Sequence, residues 1–309
     1  MGPKIKKILL TIIKLGVSAG LLYIVLSKTG IKQVLLTLRD LSPLAFVAAI
    51  LLYLLAQFTS TLRWKLLLPK MLGMRKLFSL YMIGSFFSAL LPGLIGGDAV
   101  KGFYLYKSTG KGSLALASIF MDRYIGFVVL IAICAIAFPF GFKYLQGSPI
   151  EWLLPVTVLS FLVASIAFFG LRLGKSIKIL SGFYNYFHIY RNQKDVIGKA
   201  LLLSVLVQFS GFFAVYILAL GIGQHLPFLA CLIFLPLIIL FSTLPVSISG
   251  LGIREGAFVL FFGLIGVKPE VATAISLSWF ISTTAGSLLG LVEYMKYKKE
   301  VLQDAGEGG

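Results

Sequence analysis

Residues 114–138 read LALASIFMDRYIGFVVLIAICAIAF. As a helix rising 1.5 Å per residue, this run is about 37 Å long, more than a roughly 30 Å hydrocarbon core requires. Its residues do not alternate in polarity, so it does not read as a strand of a membrane β-barrel. One charged pair, Asp122–Arg123, interrupts it about 12 Å from its start by helical rise. Charges at such depth are costly and face protein or water. Two roles are open for the pair: a tie between this helix and a neighbour, or a contact to substrate.

The rest of the chain extends the same pattern. It has 309 residues, 59% of them hydrophobic, with a mean hydropathy of +0.98. A soluble chain of this length would need many more polar residues to cover its surface. Further apolar runs of spanning length cover residues 8–26, 44–62, 152–171, 200–222 and 271–292. The net charge of +17 comes from 28 Lys and Arg against 11 Asp and Glu. Most basic residues fall between apolar runs, as the positive-inside rule produces, so no nucleic-acid partner is implied. Cys134 and Cys231 lie inside apolar runs, and His188 and His225 are isolated. No disulfide framework, metal set or cofactor motif follows from them. The basic start, Lys4, Lys6 and Lys7, precedes a run too long and too poor in cleavage signals for a signal peptide. A retained first helix with a snorkelling Lys14 is expected.

Two regions are less simple. Residues 77–91 are apolar for only about 22 Å of helix and run into Pro92, Gly93, Gly96, Gly97, Asp98 and Lys101. Residues 228–244 are borderline in length and meet Pro245, Gly250, Gly252, Arg254 and Glu255, followed by a short apolar run, 256–265. The acid-poor basic stretches, at the N-terminus, at 63–76, at 172–199 and at Lys296, Lys298 and Lys299, belong on the cytoplasmic side. The nearly uncharged stretches 142–151 and 223–227 then lie outside. Residues 27–43, with Lys28, Lys32, Arg39 and Asp40, fit this alternation least well.

Counting crossings between these sides makes 77–107 a re-entrant hairpin from the cytoplasm and 228–265 one from outside. Three full crossings in the second region would also satisfy the count. The expected fold is an all-α polytopic membrane protein of the cell membrane, with both termini cytoplasmic. It has about six full transmembrane helices plus two re-entrant hairpins. One membrane domain covers 1–299, built as inverted halves, 1–140 and 150–295, before a polar tail at 300–309. Inverted repeats with broken helices near the midplane are a transporter plan. Pro92 precedes Lys101 by nine positions, as Pro245 precedes Arg254.

Both breaks carry candidate chemistry. Glycine permits close backbone approach and proline ends a helix. A helix beginning near Asp98 would turn its positive end into the break, favourable for phosphate, and Lys101 adds a full charge. The second break adds Ser247 and Ser249 as hydroxyl partners and Glu255 as a neutraliser of Arg254. The competing readings are an interfacial loop with ordinary turn residues and a structural Arg254–Glu255 tie. No nucleophile–base set or nucleotide loop is visible.

The residues Leu91-Pro92-Gly93, Gly96-Gly97-Asp98-Ala99-Val100-Lys101, Asp122-Arg123 with Gly126, and Pro245 with Gly250-Leu251-Gly252-Ile253-Arg254-Glu255-Gly256 resemble, in order, the lysylphosphatidylglycerol synthase transmembrane-region family. The resemblance implies a membrane domain that, in relatives, moves aminoacylated phosphatidylglycerol between leaflets. Those relatives also carry a soluble aminoacyl-transferase domain, for which the sequence after Lys299 has no room. The expectation is therefore a non-enzymatic lipid flippase for an anionic phospholipid or polyprenyl-phosphate-type lipid. Lys101 and Arg254 would hold the phosphate, and Asp98, Asp122 and Glu255 would balance charge or contact a cationic headgroup, beside Arg123, Ser247 and Ser249. The rivals are an intramembrane enzyme acting on a lipid phosphate or lipid-linked sugar, with Asp98 or Glu255 as its nucleophile or base, and a non-transporting scaffold.

The side assignment is checked by cysteine labelling. In a chain freed of Cys134 and Cys231, Gly2→Cys and Ala305→Cys should resist an impermeant maleimide on intact cells and react after permeabilisation. Labelling of either in intact cells overturns the assignment of both termini to the cytoplasm.

Overall fold

The apolar runs condense into helices because a chain in hydrocarbon must satisfy its backbone polar groups internally. The computed structural model describes residues 3–68, 72–90, 95–170, 193–243, 247 and 249–306, and every regular element among them is helical. Five helical stretches are long and apolar enough to cross a membrane: Pro43–Leu66, Gly112–Tyr144, Leu153–Gly170, Lys194–Gly221 and Pro269–Lys298. A sixth arises if Ile13–Thr29 is taken with Ile31–Arg39, from which it is bent by 84°.

That bend separates α1 (Pro3–Thr29) from α2 (Ile31–Arg39) at Gly30, whose φ of 82° few side-chain-bearing residues adopt. The stretch 27–43, which fits the loop alternation poorly, is therefore largely helical. Helix α2 buries Val34 and exposes Leu35 and Leu36 beside Lys32 and Arg39. Helix α3 (Pro43–Leu66) begins on a proline that needs no N–H partner there. It runs beyond residue 62, so Arg63 belongs to its last turn and not to the basic loop that the sequence implies; it is buried, at 5% exposure.

The first hairpin pairs α4 (Met74–Leu90) with α5 (Ile95–Thr109). Gly96 and Gly97 are expected in the turn, with the helix starting near Asp98; instead both sit inside the first turn of α5. The reason Gly97 is glycine is contact: a Cβ there would strike the Gly84 carbonyl and the Ser88 hydroxyl of α4. Pro92, Gly93 and Pro245 lie outside the described residues.

Helix α6 (Gly112–Gly141) carries Asp122 and Arg123. Helix α7 (Leu153–Ser165) continues as a π-helical turn through Gly170 and presents Val156, Leu159, Leu162 and Val163 outward. Such a face suits hydrocarbon and would drive aggregation in water. After α8 (Lys194–Gly221) the second hairpin pairs α9 (Phe228–Thr243) with α10 (Ile253–Gly263). Helix α9 is about 24 Å long and α10 about 16 Å, each too short to cross alone. Between them Ser249, Gly250 and Gly252 have φ of 50°, 74° and 83°. A Cβ on Gly252 would strike Leu21 of α1, so this turn is seated against the first helix. Ile233, Phe234, Phe258, Phe261 and Phe262 of this hairpin are fully buried with Phe212 of α8 and Ile275 of α11 (Pro269–Ser287). Helix α12 (Leu289–Gly306) closes the chain and stays helical through most of the expected polar tail.

Helix α3 packs along α8 more extensively than any other pair. Helix α4 packs on α12 and α9 on α6; α5 packs on α6 and α10 on α11; α3 packs on α11 and α8 on α6. The α4–α12 contact has no room for a side chain at Gly290, where a Cβ would strike the Met82 carbonyl.

Overpacking at a rigid backbone contact costs about 1–3 kcal/mol. Gly290→Ala should therefore lower the unfolding temperature of the detergent-solubilised protein. Gly263→Ala, a helical position with open space around it, should leave it unchanged. Equal behaviour of the two would contradict the close α4–α12 approach.

Candidate functional site

Successive helical residues point about 100° apart, so Asp122 and Arg123 serve different neighbours. The Asp122 carboxylate, 1% exposed, accepts from Arg63 Nε of α3 at 2.8 Å and from the Tyr81 hydroxyl of α4 at 3.0 Å. Lys101 Nζ of α5 lies 3.5 Å from it. The Arg63 guanidinium also donates to the Ser204 hydroxyl of α8 at 2.7 Å. One carboxylate thus ties α3, α4, α5 and α6 together, and Arg63 extends the tie to α8.

Asp98 and Lys101, three residues apart, share a face of α5. Arg123 Nε donates to Asp98 at 2.7 Å, and Lys101 Nζ is 3.8 Å from the same carboxylate. The Lys101 ammonium also lies over the rings of Trp64 and Tyr81, 4.6 and 4.1 Å from their centroids. A cation against two aromatic faces and two carboxylates is well compensated without water. Lys101 is 3% exposed, so the residue expected to grip a phosphate is already engaged inside the protein.

The second hairpin has its own cluster. Glu255, fully buried in the first turn of α10, accepts the Gly252 N–H at 2.6 Å, closing the helix N-terminus with an internal anion. Its other oxygen accepts from Arg254 Nη2 at 2.7 Å and from the Ser276 hydroxyl of α11 at 3.0 Å. Arg254 lies over Phe280, 4.8 Å from the ring centroid. The ion pair is real, and its arginine also faces open space: Asp98, Lys101, Asp122, Arg123 and Arg254 all border one cavity of about 420 Å³. The hairpins meet at its edge, where the Ser249 hydroxyl donates to the Ser88 carbonyl of α4 at 3.0 Å. Ser247 and Ser249 border an adjoining space of about 280 Å³.

Of the sequence candidates, the charged residues of both breaks and of α6 converge, with Glu255 one layer behind Arg254. Several residues around the cavity escape sequence reasoning. Arg63 reads as a loop cation because it follows the apolar run without a gap. Gln57, Tyr81, Ser85 and Gln208 also line the cavity; Ser85 donates to Gln57 at 3.0 Å and Gln208 donates to the Gly126 carbonyl at 3.0 Å. Two glutamines inside otherwise apolar runs were the available signal for them.

Residues 11–290 match the family described as the lysylphosphatidylglycerol synthase TM region. The chain belongs to that family. A UPF0104 membrane protein of Methanocaldococcus jannaschii is 23% identical over 97% of this chain and 99% of the relative. Another UPF0104 membrane protein, of Methanothermobacter thermautotrophicus, is 22% identical over 77% of this chain and 80% of its own length. No solved structure matches the chain. This family and the apolar helices make the protein a multi-pass membrane protein with a role tied to membrane lipid.

Removing one partner of a buried ion pair costs about 3–5 kcal/mol. Asp122→Asn should therefore sharply lower thermal stability in detergent by stranding Arg63. Adding Arg63→Gln should restore part of the loss, because Lys101 retains Asp98. Parent-like stability of Asp122→Asn would show that the carboxylate is not the tie described.

Proposed function

We propose that this protein is a flippase or transporter that moves an anionic amphipathic phospholipid between the leaflets of the cell membrane. The observation that carries this reading is the charged cavity between the ends of the two hairpins, inside a bundle whose outer faces are apolar. Charged and polar groups are kept at membrane depth where a polar substrate must pass. Four cations, Arg63, Lys101, Arg123 and Arg254, stand there against three carboxylates, Asp98, Asp122 and Glu255. The surplus is positive and favours an anion. The headgroup would enter the cavity while acyl chains stay in lipid. Arg254 would face the headgroup, with Lys101 setting the charge balance behind it.

The packing partners support an inverted repeat of eight membrane segments. Exchanging α3 with α8, α4–α5 with α9–α10, and α6 with α11–α12 turns the main contacts among these helices in one half into contacts of the other, while the contacts of α1 and α2 with α10 and α11 are only partly matched, by α7 on α6. Lys101 contacts Asp122 twenty-one residues later, and Arg254 contacts Ser276 twenty-two later. Two halves rocking about such an axis give alternating access. Cytoplasmic termini belong to the same reading. The enzyme alternative fares less well, since Asp98 and Glu255, its candidate bases, are each held by a guanidinium.

Reconstitution in liposomes with fluorescent lipids tests the proposal. The parent should speed leaflet exchange of an anionic lipid above protein-free vesicles. Arg254→Lys should slow it partially, since an ammonium cannot grip two oxygens as a guanidinium does. Arg254→Ala should slow it about tenfold, as expected for one lost charge-assisted hydrogen bond. Because Arg254→Ala strands Glu255, the Arg254→Ala/Glu255→Ala protein is measured beside it. A well-folded parent that exchanges no lipid refutes transport, and a chemically altered lipid would favour the enzyme.

A further inference from the structure

The space of about 280 Å³ beside the main cavity shares Ser88, Arg123, Ser249, Arg254 and Thr283 with it. Its charge is one-sided: Arg123 from α6 and Arg254 from the start of α10 both border it, and no carboxylate among the described residues does. Asp98 and Glu255 pair with these arginines without bordering this space. Arg123 uses Nε on Asp98, and its two Nη groups make no hydrogen bond among the described residues. Arg254 uses Nε and Nη2 on Glu255 and Ser276, and its Nη1 makes none. The Ser247 hydroxyl is buried beside the chamber, also without a partner among the described residues. The N-terminus of α10 is not the attraction, because Glu255 already occupies it.

Arg123 and Arg254 both border one small chamber, and neither has spent all its N–H groups on its carboxylate, so an anion lying there would be attracted by both guanidinium groups. Each is a planar fork suited to two oxygens of a phosphate. A phosphodiester offers two charged oxygens and one negative charge. A terminal phosphate offers three oxygens and about two charges near neutral pH, enough for both forks. A cationic aminoacylated headgroup finds no unengaged carboxylate there.

We infer that this chamber is a seat for a terminal phosphate, the headgroup of a phosphomonoester lipid, in preference to a phosphodiester or an aminoacylated lipid. The inference rests on the transport reading for its lipid and narrows that lipid to one chemical class. Arg123 thereby becomes a ligand contact as well as the partner of Asp98. Lys101 stays a counter-ion that never touches the phosphate.

Binding to the full chain in detergent tests the seat with short-chain probes. Dihexanoylphosphatidic acid should bind about tenfold more tightly than dihexanoylphosphatidylglycerol, the difference expected for one extra charge-assisted contact. Dihexanoylphosphatidylcholine should not saturate the site. Arg123→Gln should weaken the phosphatidic acid probe about tenfold and Arg123→Lys less; Asp98 keeps Lys101 nearby, so folding should survive. Arg254→Gln/Glu255→Gln, which removes both members of the buried pair, should weaken it similarly. Inorganic phosphate serves as the headgroup without a lipid. Matching affinity for it would uphold the phosphate seat and assign it to a soluble anion. Equal affinity for the three lipids overturns the seat, as does an Arg123→Gln protein that elutes like the parent and binds phosphatidic acid as tightly. The two readings fail separately. Selective binding without leaflet exchange keeps the seat and removes transport, and exchange indifferent to headgroup does the reverse.

Discussion

A carboxylate buried in an apolar bundle must be compensated by its neighbours, and Asp122 draws its partners from three other helices. Arg63, Tyr81 and Lys101 reach it from α3, α4 and α5, and Ser204 of α8 steadies Arg63 from the far side. Desolvating these groups separately would be prohibitive, whereas together they satisfy one another. The hairpin α4–α5 therefore cannot slide along α6 without stranding a charge. This network fixes the height of the first hairpin in the bundle and so places Asp98 and Arg123 at the cavity.

Contact without side chains does the remaining positioning. Hairpins that stop inside a bundle leave helix ends whose polar groups need protein partners. At the first hairpin, Gly84 and Gly97 let two backbones touch. At the second, Glu255 caps its own helix, and Gly252 lets the turn lie against α1. Aromatic rings then lock the second hairpin sideways, with Phe234 about 5.7 Å from Phe261 and 5.6 Å from Phe262 between ring centroids.

Much of this was legible in the sequence, because hydrocarbon enforces length and polarity on each segment. The long spans, the two short arms and the charged breaks follow from run length and from the placement of Asp98, Asp122, Arg123 and Arg254. The Arg254–Glu255 pair was legible from adjacency, but partnerships between helices were not. Asp122 and Arg123 are adjacent in sequence yet turn to different helices, and Arg63 lies 59 residues from its carboxylate. Gly97 of the first break has another role than a turn residue: it needs the absence of a Cβ because α4 passes over it. The bend at Gly30 escaped because α2 mixes Lys32 and Arg39 with leucines, a pattern shared by loops and surface-lying helices. Site roles and the symmetry of the halves are claims about substrate and motion, which run length does not encode.

Glu255 has one more consequence. With its carboxylate already against Nε and Nη2 of Arg254, Glu255 is a resident anion whose charge opposes any anion arriving at Nη1. Occupancy then depends on the difference between two ion pairs and not on the full strength of either. On the transport reading that difference would shorten residence times, since affinity differences lie mainly in the rate of leaving. A receptor built for retention would gain by discarding such an anion, whereas a device that must release its cargo on every cycle gains by keeping it.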